Sequence, residues 1–431
     1  KGLNFTLNHN GYLTMYNEMT DEFDMLDSSY NKISSYHAGN GYITDIHEFQ
    51  IFPDGHSLLV GLDYETVDMT VYDSSYSSHA TVIGAILQEL DASKNVIFEW
   101  RSWDYIDVTE ALHEALFYSF IDYVHANSIE LDTDGNILLS CRHLDQVIKI
   151  NRNTGDIIWR LGGIKNEFTF INDPYGFNYQ HDVRRIANGH LTLFDNGNYH
   201  PEKISFAKEY ALDEVNKKAT LVWSYHHPFI GNKPVIGYAM GNVQRLPNGN
   251  TLINWGSIYN GVLGEGSPNV TEVDAHDSIV WEMTLDPTYR NVTYRAHRFE
   301  WSPCARPTGK LLTSTGISQT AAKLSWTAAT GASSYLVSYK PVSANTWSTT
   351  SAADESKHLS DLQPATTYQW YVQSLCDQLS NTLSAASEVK KFTTLPLKVF
   401  SNPETENNLL QVYPNPSNGS FFSKCGASKS I

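Results

Sequence analysis

Along residues 3–300, apolar and polar residues alternate in short runs that stop at Gly, Asn or Asp, the pattern of half-buried antiparallel strands joined by tight turns. Residues 123–163, YVHANSIELDTDGNILLSCRHLDQVIKINRNTGDIIWRLGG, contain the whole unit. A strand opens at His125, Asn127 and Ser128, turns at Asp134-Gly135 where φ > 0 is needed, and returns over residues 137–142. Residues 147–150 and 156–160, joined through Asn153-Thr154-Gly155, form a second hairpin. Four antiparallel strands in about 40 residues is the size of one propeller blade.

The unit recurs. Residues 3–36 form one copy, and 47–64 with 81–100 a second, interrupted by an insertion at 73–79. The opening unit is the third, 181–225 the fourth and 241–283 the fifth. Four closing hairpins, ELDASKNVIFEW, KINRNTGDIIWR, ALDEVNKKATLVWSY and EVDAHDSIVWEM, carry Trp100, Trp159, Trp223 and Trp281, each expected to pack between neighbouring units. A two-sheet sandwich would share the strand spacing but not this repeated hairpin. The expected fold class is therefore all-β, a six-bladed β-propeller truncated at its N-terminus, with the remaining blade upstream of Lys1 or completed by residues 291–301.

Composition agrees and narrows the function. Only 18% of residues are charged, against 25 Tyr, 18 Phe and 10 Trp, which suits aromatic-rich sheets. Lys+Arg 30 against Asp+Glu 47 gives a net charge of −17, so an anionic substrate needs a local positive cluster and nucleic acid is not an expected partner. No apolar run is long enough to span a membrane. The four cysteines, Cys141, Cys304, Cys376 and Cys425, fit no CxxC metal spacing.

Aligned on the turn glycines Gly55, Gly135 and Gly189, three histidines fall near the same end of the innermost strands. His47 and His181 each lie eight residues before their glycine and His125 ten before, a difference that keeps one face under strict alternation. In a propeller that end meets the central channel, and Arg142 on the returning strand joins it. Three imidazoles also suit zinc. The adjacent arginine, and the lack of a carboxylate in the corresponding slot, speak against a metal, and no cofactor is expected. His143, Asn196 and Asn198 are candidate supporting groups, with turn and strand-end hydrogen bonding as the alternative.

At these residues the chain resembles the bacterial arylsulfate sulfotransferase family. The landmarks are HEF, VHANSI, SCRH, KINRNTGDIIWRLGG and QHDVRRIANGHLTLFDNGN. The resemblance covers roughly residues 1–300 and is closer to secreted Bacteroidetes-type members. It implies that His181 of QHDV becomes sulfated, that His125, Asn127 and Arg142 hold the sulfuryl oxygens, and that His47 is the remaining channel histidine. His143 and Asn196 are then substrate-binding candidates. An aryl sulfate ester would donate to a phenol in two displacements, without nucleotide, in keeping with the lack of a GxxxxGK[ST] motif. Activity is expected to fall in acid as His181 protonates. A propeller that only binds a ligand or adheres, and a metal-dependent hydrolase, are the alternatives.

From Cys304 the composition turns to Ser, Thr and Ala, and residues 304–395 resemble a fibronectin type III domain, with Trp326 as core tryptophan and Tyr368 as tyrosine corner. Cys304 precedes its first strand and Cys376 ends the strand after the corner, so a disulfide between them is expected. Residues 396–408 read as a linker. LLQVYPNPSNGSF opens residues 409–431, which resemble the start of a type IX secretion sorting domain. That implies export by the type IX machinery to the cell surface or beyond.

Overall fold

The computed structural model describes residues 2–27, 30–258, 268–286, 292–301, 304–307, 311–376 and 382–397. Among them every regular element is a strand apart from four three-residue 3-10 turns. The expected linker beyond residue 397 and the sorting segment at 409–431 lie outside the described residues.

Five sheets follow one another. The first contains β1 (Gly2–Leu7), β2 (Leu13–Asn17), β3 (Glu22–Leu26) and β4 (Lys32–Tyr36). The second contains β5 (Ile43–Ile51), β6 (Ser57–Val67), β7 (Ala80–Leu90) and β8 (Val96–Arg101), with β9 (Phe120–Asp122) added parallel to β7. The third contains β10 (Ala126–Leu131), β11 (Ile137–Cys141), β12 (Gln146–Ile150) and β13 (Ile157–Gly162). In the fourth, β14 (Thr169–Ile171) runs parallel to β18 (Lys218–Tyr225), beyond the meander of β15 (His181–Arg185), β16 (Leu191–Asp195) and β17 (Phe206–Asp213). The fifth contains β19 (Asn242–Arg245), β20 (Thr251–Asn254), β21 (Val270–Val273) and β22 (Ile279–Met283).

The same turn closes the first hairpin of four sheets. Gly55, Gly135, Gly189 and Gly249 have φ between 82° and 88°, a region that glycine enters without a Cβ penalty. Core forms where one sheet faces the next. Trp159, Leu161 and Val147 of the third sheet pack with Leu191, Leu193 and Tyr210 of the fourth, and Phe194 and Ala207 of the fourth pack with Val243, Ile253 and Trp255 of the fifth. Trp100 and Trp159 are fully buried as expected, but Trp223 is only half-buried and Trp281 is 48% exposed. Residues 279–282 of β22 are all exposed, so its closing tryptophan is not enclosed as Trp100 and Trp159 are.

Strict alternation is not what brings the histidines to one end. The register slips between Thr44 and Phe49, between Ala126 and Ser128, and between His181 and Arg184. Each slip is a bulge at or beside a histidine, and bulges re-aim side chains. His125 and Asp182 have φ of 50° and 55°, left-handed values that non-glycine residues adopt only under constraint. Beside the bulges, Arg184 pairs with Glu48 at 2.6 Å and Asp182 at 2.7 Å, and Arg295 pairs with the same two carboxylates at 3.1 and 2.9 Å. These buried pairs tie the second and fourth sheets together.

The expectation that residues 291–301 complete a blade is not met by 292–301, which form no strand. Ala296 and Arg298 instead bond through their backbones to the side chains of Asn242 and Gln244.

The C-terminal part has two sheets. One contains β23 (Thr313–Thr315), β24 (Ala322–Ser325) and β27 (Ser356–Leu359). The other is built of β25 (Ala332–Pro341), β26 (Ser348–Ala352), β28 (Thr367–Cys376), β29 (Thr382–Leu383) and β30 (Lys390–Thr393). Trp326 is buried with its ring 6.4 Å from Trp370, and the Tyr368 hydroxyl accepts the Gln363 N–H at 2.9 Å, the expected tyrosine corner. Cys304 and Cys376 form the expected disulfide, Cα to Cα 5.8 Å, and Cys141 is a buried thiol.

Candidate active site

His181 begins β15 and is 3% exposed. Its Nδ1 faces two oxygens, Asn196 Oδ1 at 2.8 Å and the Tyr179 carbonyl at 3.0 Å. Asn196 is held in that orientation because its amide nitrogen donates to the Gly237 and Met240 carbonyls at 2.6 and 3.0 Å. Nδ1 therefore carries the proton and Nε2 keeps a lone pair, which accepts the Met240 N–H at 3.1 Å. Burial above all, then the Arg142 charge and His125, hold the imidazole well below its ordinary value of 6.5. Asn196 thus serves the histidine and does not offer its amide to a substrate. Asn196→Ala removes one of two Nδ1 acceptors and should slow the chemistry of His181 by about tenfold, less than loss of a sole tautomer-setting partner costs. Imidazole nitrogen NMR should then show a mixture of tautomers, where the parent shows Nδ1–H alone.

Arg142 opens the 3-10 turn that follows β11, and its N–H donates to the His125 carbonyl at 3.0 Å. The guanidinium lies 4.0 Å over the Tyr179 ring, donates to the Tyr238 carbonyl at 3.1 Å, and donates to His143 Nε2. Its Nε–H is buried without an acceptor. Arg101, Arg152, Arg160, Arg184, Arg185, Arg245, Arg295 and Arg298 each pair with a carboxylate, whereas among the described residues Arg142 has no carboxylate within 4.0 Å. His143 donates from Nδ1 to the Asp122 carbonyl, so both its nitrogens are used. Burial and its cationic neighbours push it down to about 3, so it acts as a neutral support that aims Arg142.

His125 and His47 complete the cluster, with ring centres 4.8 Å apart and His125 4.6 Å from His143. Each is bonded through Nδ1 to an aspartate, Asp122 at 2.6 Å and Asp45 at 2.6 Å. The expected absence of a carboxylate is therefore corrected: Asp122, His125 and His143 place ligand-type atoms within 4.8 Å of one another. Within that group His125 Nδ1 and Asp122 Oδ2 bond each other, and His143 Nε2 accepts a hydrogen bond from Arg142. Asn127 is fully buried, and its amide donates to the Gln180 carbonyl at 2.7 Å. It braces the residue before His181, and that bond takes one of the two N–H donors of its amide.

Several groups of the site lie outside the repeat that the sequence pattern marks. Glu114 accepts the Tyr179 hydroxyl, His113 stacks on Tyr199 at 3.6 Å, and both come from the connection between β8 and β9, which lies outside the repeat. Asp45 and Asp122 stand two and three residues before their histidines, a spacing that could have pointed to them.

Residues 6–286 match the arylsulfotransferase (ASST) family and residues 305–390 the fibronectin type III domain. No curated protein matches the chain. A solved structure of a protein of unknown function from Bacteroides caccae is similar at 15% identity and a TM-score of 0.42, covering 66% of this chain and 81% of that one. A fibronectin type III domain of human collagen XX is similar at 20% identity and a TM-score of 0.18, covering 20% of this chain and 91% of that one. A myokine structure is similar at 22% identity and a TM-score of 0.19, covering 21% and 97%. Among the described residues no helix is long and apolar enough to cross a membrane. With well over half of its 431 residues matched, the chain belongs to the arylsulfotransferase family and carries a fibronectin type III domain behind its five sheets.

Proposed function

We propose that the protein moves a sulfuryl group from an aryl sulfate ester to a phenolic acceptor through a sulfated His181, without nucleotide or metal. One observation carries this: a half-buried guanidinium with no carboxylate partner among the described residues and a buried, unused Nε–H, in a chain of net charge −17, beside a neutral imidazole whose Nε2 holds a lone pair. A preorganised positive donor beside a nucleophile is what a planar, negatively charged sulfuryl group in transfer requires. His181 attacks, the sulfuryl oxygens are received by Arg142, and the phenol leaves. The Met240 N–H on Nε2 must give way as the nitrogen–sulfur bond forms. Incubation with 4-nitrophenyl sulfate, with and without phenol, tests the reading: sustained release that requires the phenol supports transfer. Release without it indicates hydrolysis, metal-dependent if chelators stop it, and no release indicates a sheet assembly that only binds.

The pH expectation changes with the structure. Since His181 sits well below 6.5, its neutral form persists as pH falls, and single-turnover sulfation by 4-nitrophenyl sulfate should be level between about pH 8 and 6. A rate dropping tenfold per pH unit below 6.5 would mean that the nucleophile is an ordinary imidazole.

The same reading includes closure of the five sheets into a six-bladed propeller. Support comes from the outer strand β22, which is exposed, and from a cavity that Phe5 of β1, Val280 and Trp281 of β22, and Phe299 line together, so that the first and fifth sheets border one opening. Export to an oxidising compartment, through the type IX machinery, is part of the proposal and is supported by the Cys304–Cys376 disulfide.

A further inference from the structure

Transfer between two phenols needs a carrier for the proton that the acceptor gives up and the departing phenolate takes. His181 cannot be that carrier while it holds sulfur. His143 has both nitrogens committed. His125 has only Nδ1 committed, to Asp122.

Asp122, which ends β9, holds His125 twice. Its Oδ1 accepts the His125 N–H at 3.1 Å and its Oδ2 faces His125 Nδ1 at 2.6 Å. His125 has φ 50°, so this grip is made on a strained residue. A comparison within the chain separates it from a local turn. Asp54 and His56 make a similar pair, but the bonds lie in a hairpin turn and His56 has no positive φ. Asp45 resembles that turn pair, because one oxygen accepts both the His47 N–H at 2.7 Å and Nδ1 at 2.6 Å across a two-residue spacing.

We infer that Asp122 is a positioning residue that makes His125 the proton carrier of the reaction, an inference that rests on the sulfotransferase reading. Nδ1–H on the carboxylate leaves Nε2 as the exchanging atom. In the first half, His181 Nε2 forms the N–S bond and the aryl S–O bond breaks. The aryl oxygen keeps the electron pair and takes the proton from His125 Nε2, leaving His125 neutral. In the second half, the acceptor hydroxyl gives its proton to His125 Nε2 as its oxygen bonds to sulfur, and the N–S pair returns to His181. The acceptor's proton thus ends on the leaving phenol, and no other reactant is needed. Burial works against the Asp122 carboxylate, but the His125 bond outweighs it and keeps Asp122 below the usual range, as a group that must support an imidazolium requires.

The test is the dependence of rate on the leaving group. In Asp122→Asn, sulfation of His181 by phenyl sulfate, whose basic phenolate needs the proton, should fall by about a hundredfold or more. The loss with 4-nitrophenyl sulfate, a far weaker base on departure, should be distinctly smaller, so the leaving-group plot steepens. Asp54→Asn should leave the plot unchanged. As a second variant, His125→Gly removes the carrier at a position whose φ glycine accepts freely. Added imidazole should restore its phenyl sulfate turnover, and should fail to do so when Asp122→Asn is also present. Equal losses with both donors, a steepened plot in Asp45→Asn instead, or imidazole rescue that ignores Asp122 would each overturn the inference while His181 is still sulfated. Absence of sulfated His181 in the parent protein would overturn the underlying reading and the inference with it.

Discussion

His181→Ala should lose the covalent intermediate entirely, and turnover should drop on the order of 10⁴-fold or more, as expected when a nucleophile that acts as a unit with its partners is removed. The expectation follows from the tautomer. Asn196 and the Tyr179 carbonyl fix the proton on Nδ1, and no other imidazole among the described residues has the same pair of acceptors beside Arg142. The residue is more deeply buried than its place in a channel suggests, so the variant also leaves Asn196 Oδ1 and the Met240 N–H without their partner. That should cost about 1–3 kcal/mol of stability, too little to unfold a domain of this size. Circular dichroism like that of the parent, with a modestly lowered Tm and no turnover, is the expected combination. Retained turnover would place the chemistry elsewhere.

Arg142→Ala should slow sulfation by about 10² to 10³, the usual scale for one preorganised charge donor. The effect should appear in kcat more than in KM, because sulfuryl charge builds as the bonds to sulfur stretch. Arg142→Lys should recover little of it. The guanidinium reaches His143 Nε2 and the Tyr238 carbonyl together while lying over the Tyr179 ring, and a single ammonium cannot reproduce that fork. Arg142 is also the second-largest influence holding His181 low, after burial, so in Arg142→Ala the acid limb of the sulfation profile should move to higher pH. Measured rates that follow Lys and Arg equally would mean that only net charge matters there.

Four of the five sheets were legible in the sequence because each has a glycine turn in its first hairpin and a tryptophan in its last. Gly55, Gly135, Gly189 and Gly249 punctuate the strands where the structure turns. The convergence of His47, His125 and His181 was legible as well, but not its cause. Alternation with period 2 cannot encode a bulge, and the bulges at 44–49, 126–128 and 181–184 are what aim these side chains. Asn127 illustrates the same limit: the resemblance implies that it holds a sulfuryl oxygen, whereas in the structure its amide donates into the body of the protein, to the Gln180 carbonyl. Trp281 was read as buried like Trp100 because the hairpins match, whereas burial depends on what lies opposite, which a local motif does not record. Glu114, His113 and Tyr199 were invisible for a different reason, since contacts between a connection and a distant sheet leave no spacing to count.

The central claim is a sulfuryl group on His181, and mass measurement of the protein after brief exposure to 4-nitrophenyl sulfate alone tests it most directly. The account predicts one added sulfuryl group per chain, located by fragmentation on the peptide containing His181 and discharged when a phenol is added. An unmodified protein that nevertheless transfers sulfuryl to the phenol, or a group found on another residue, would contradict it.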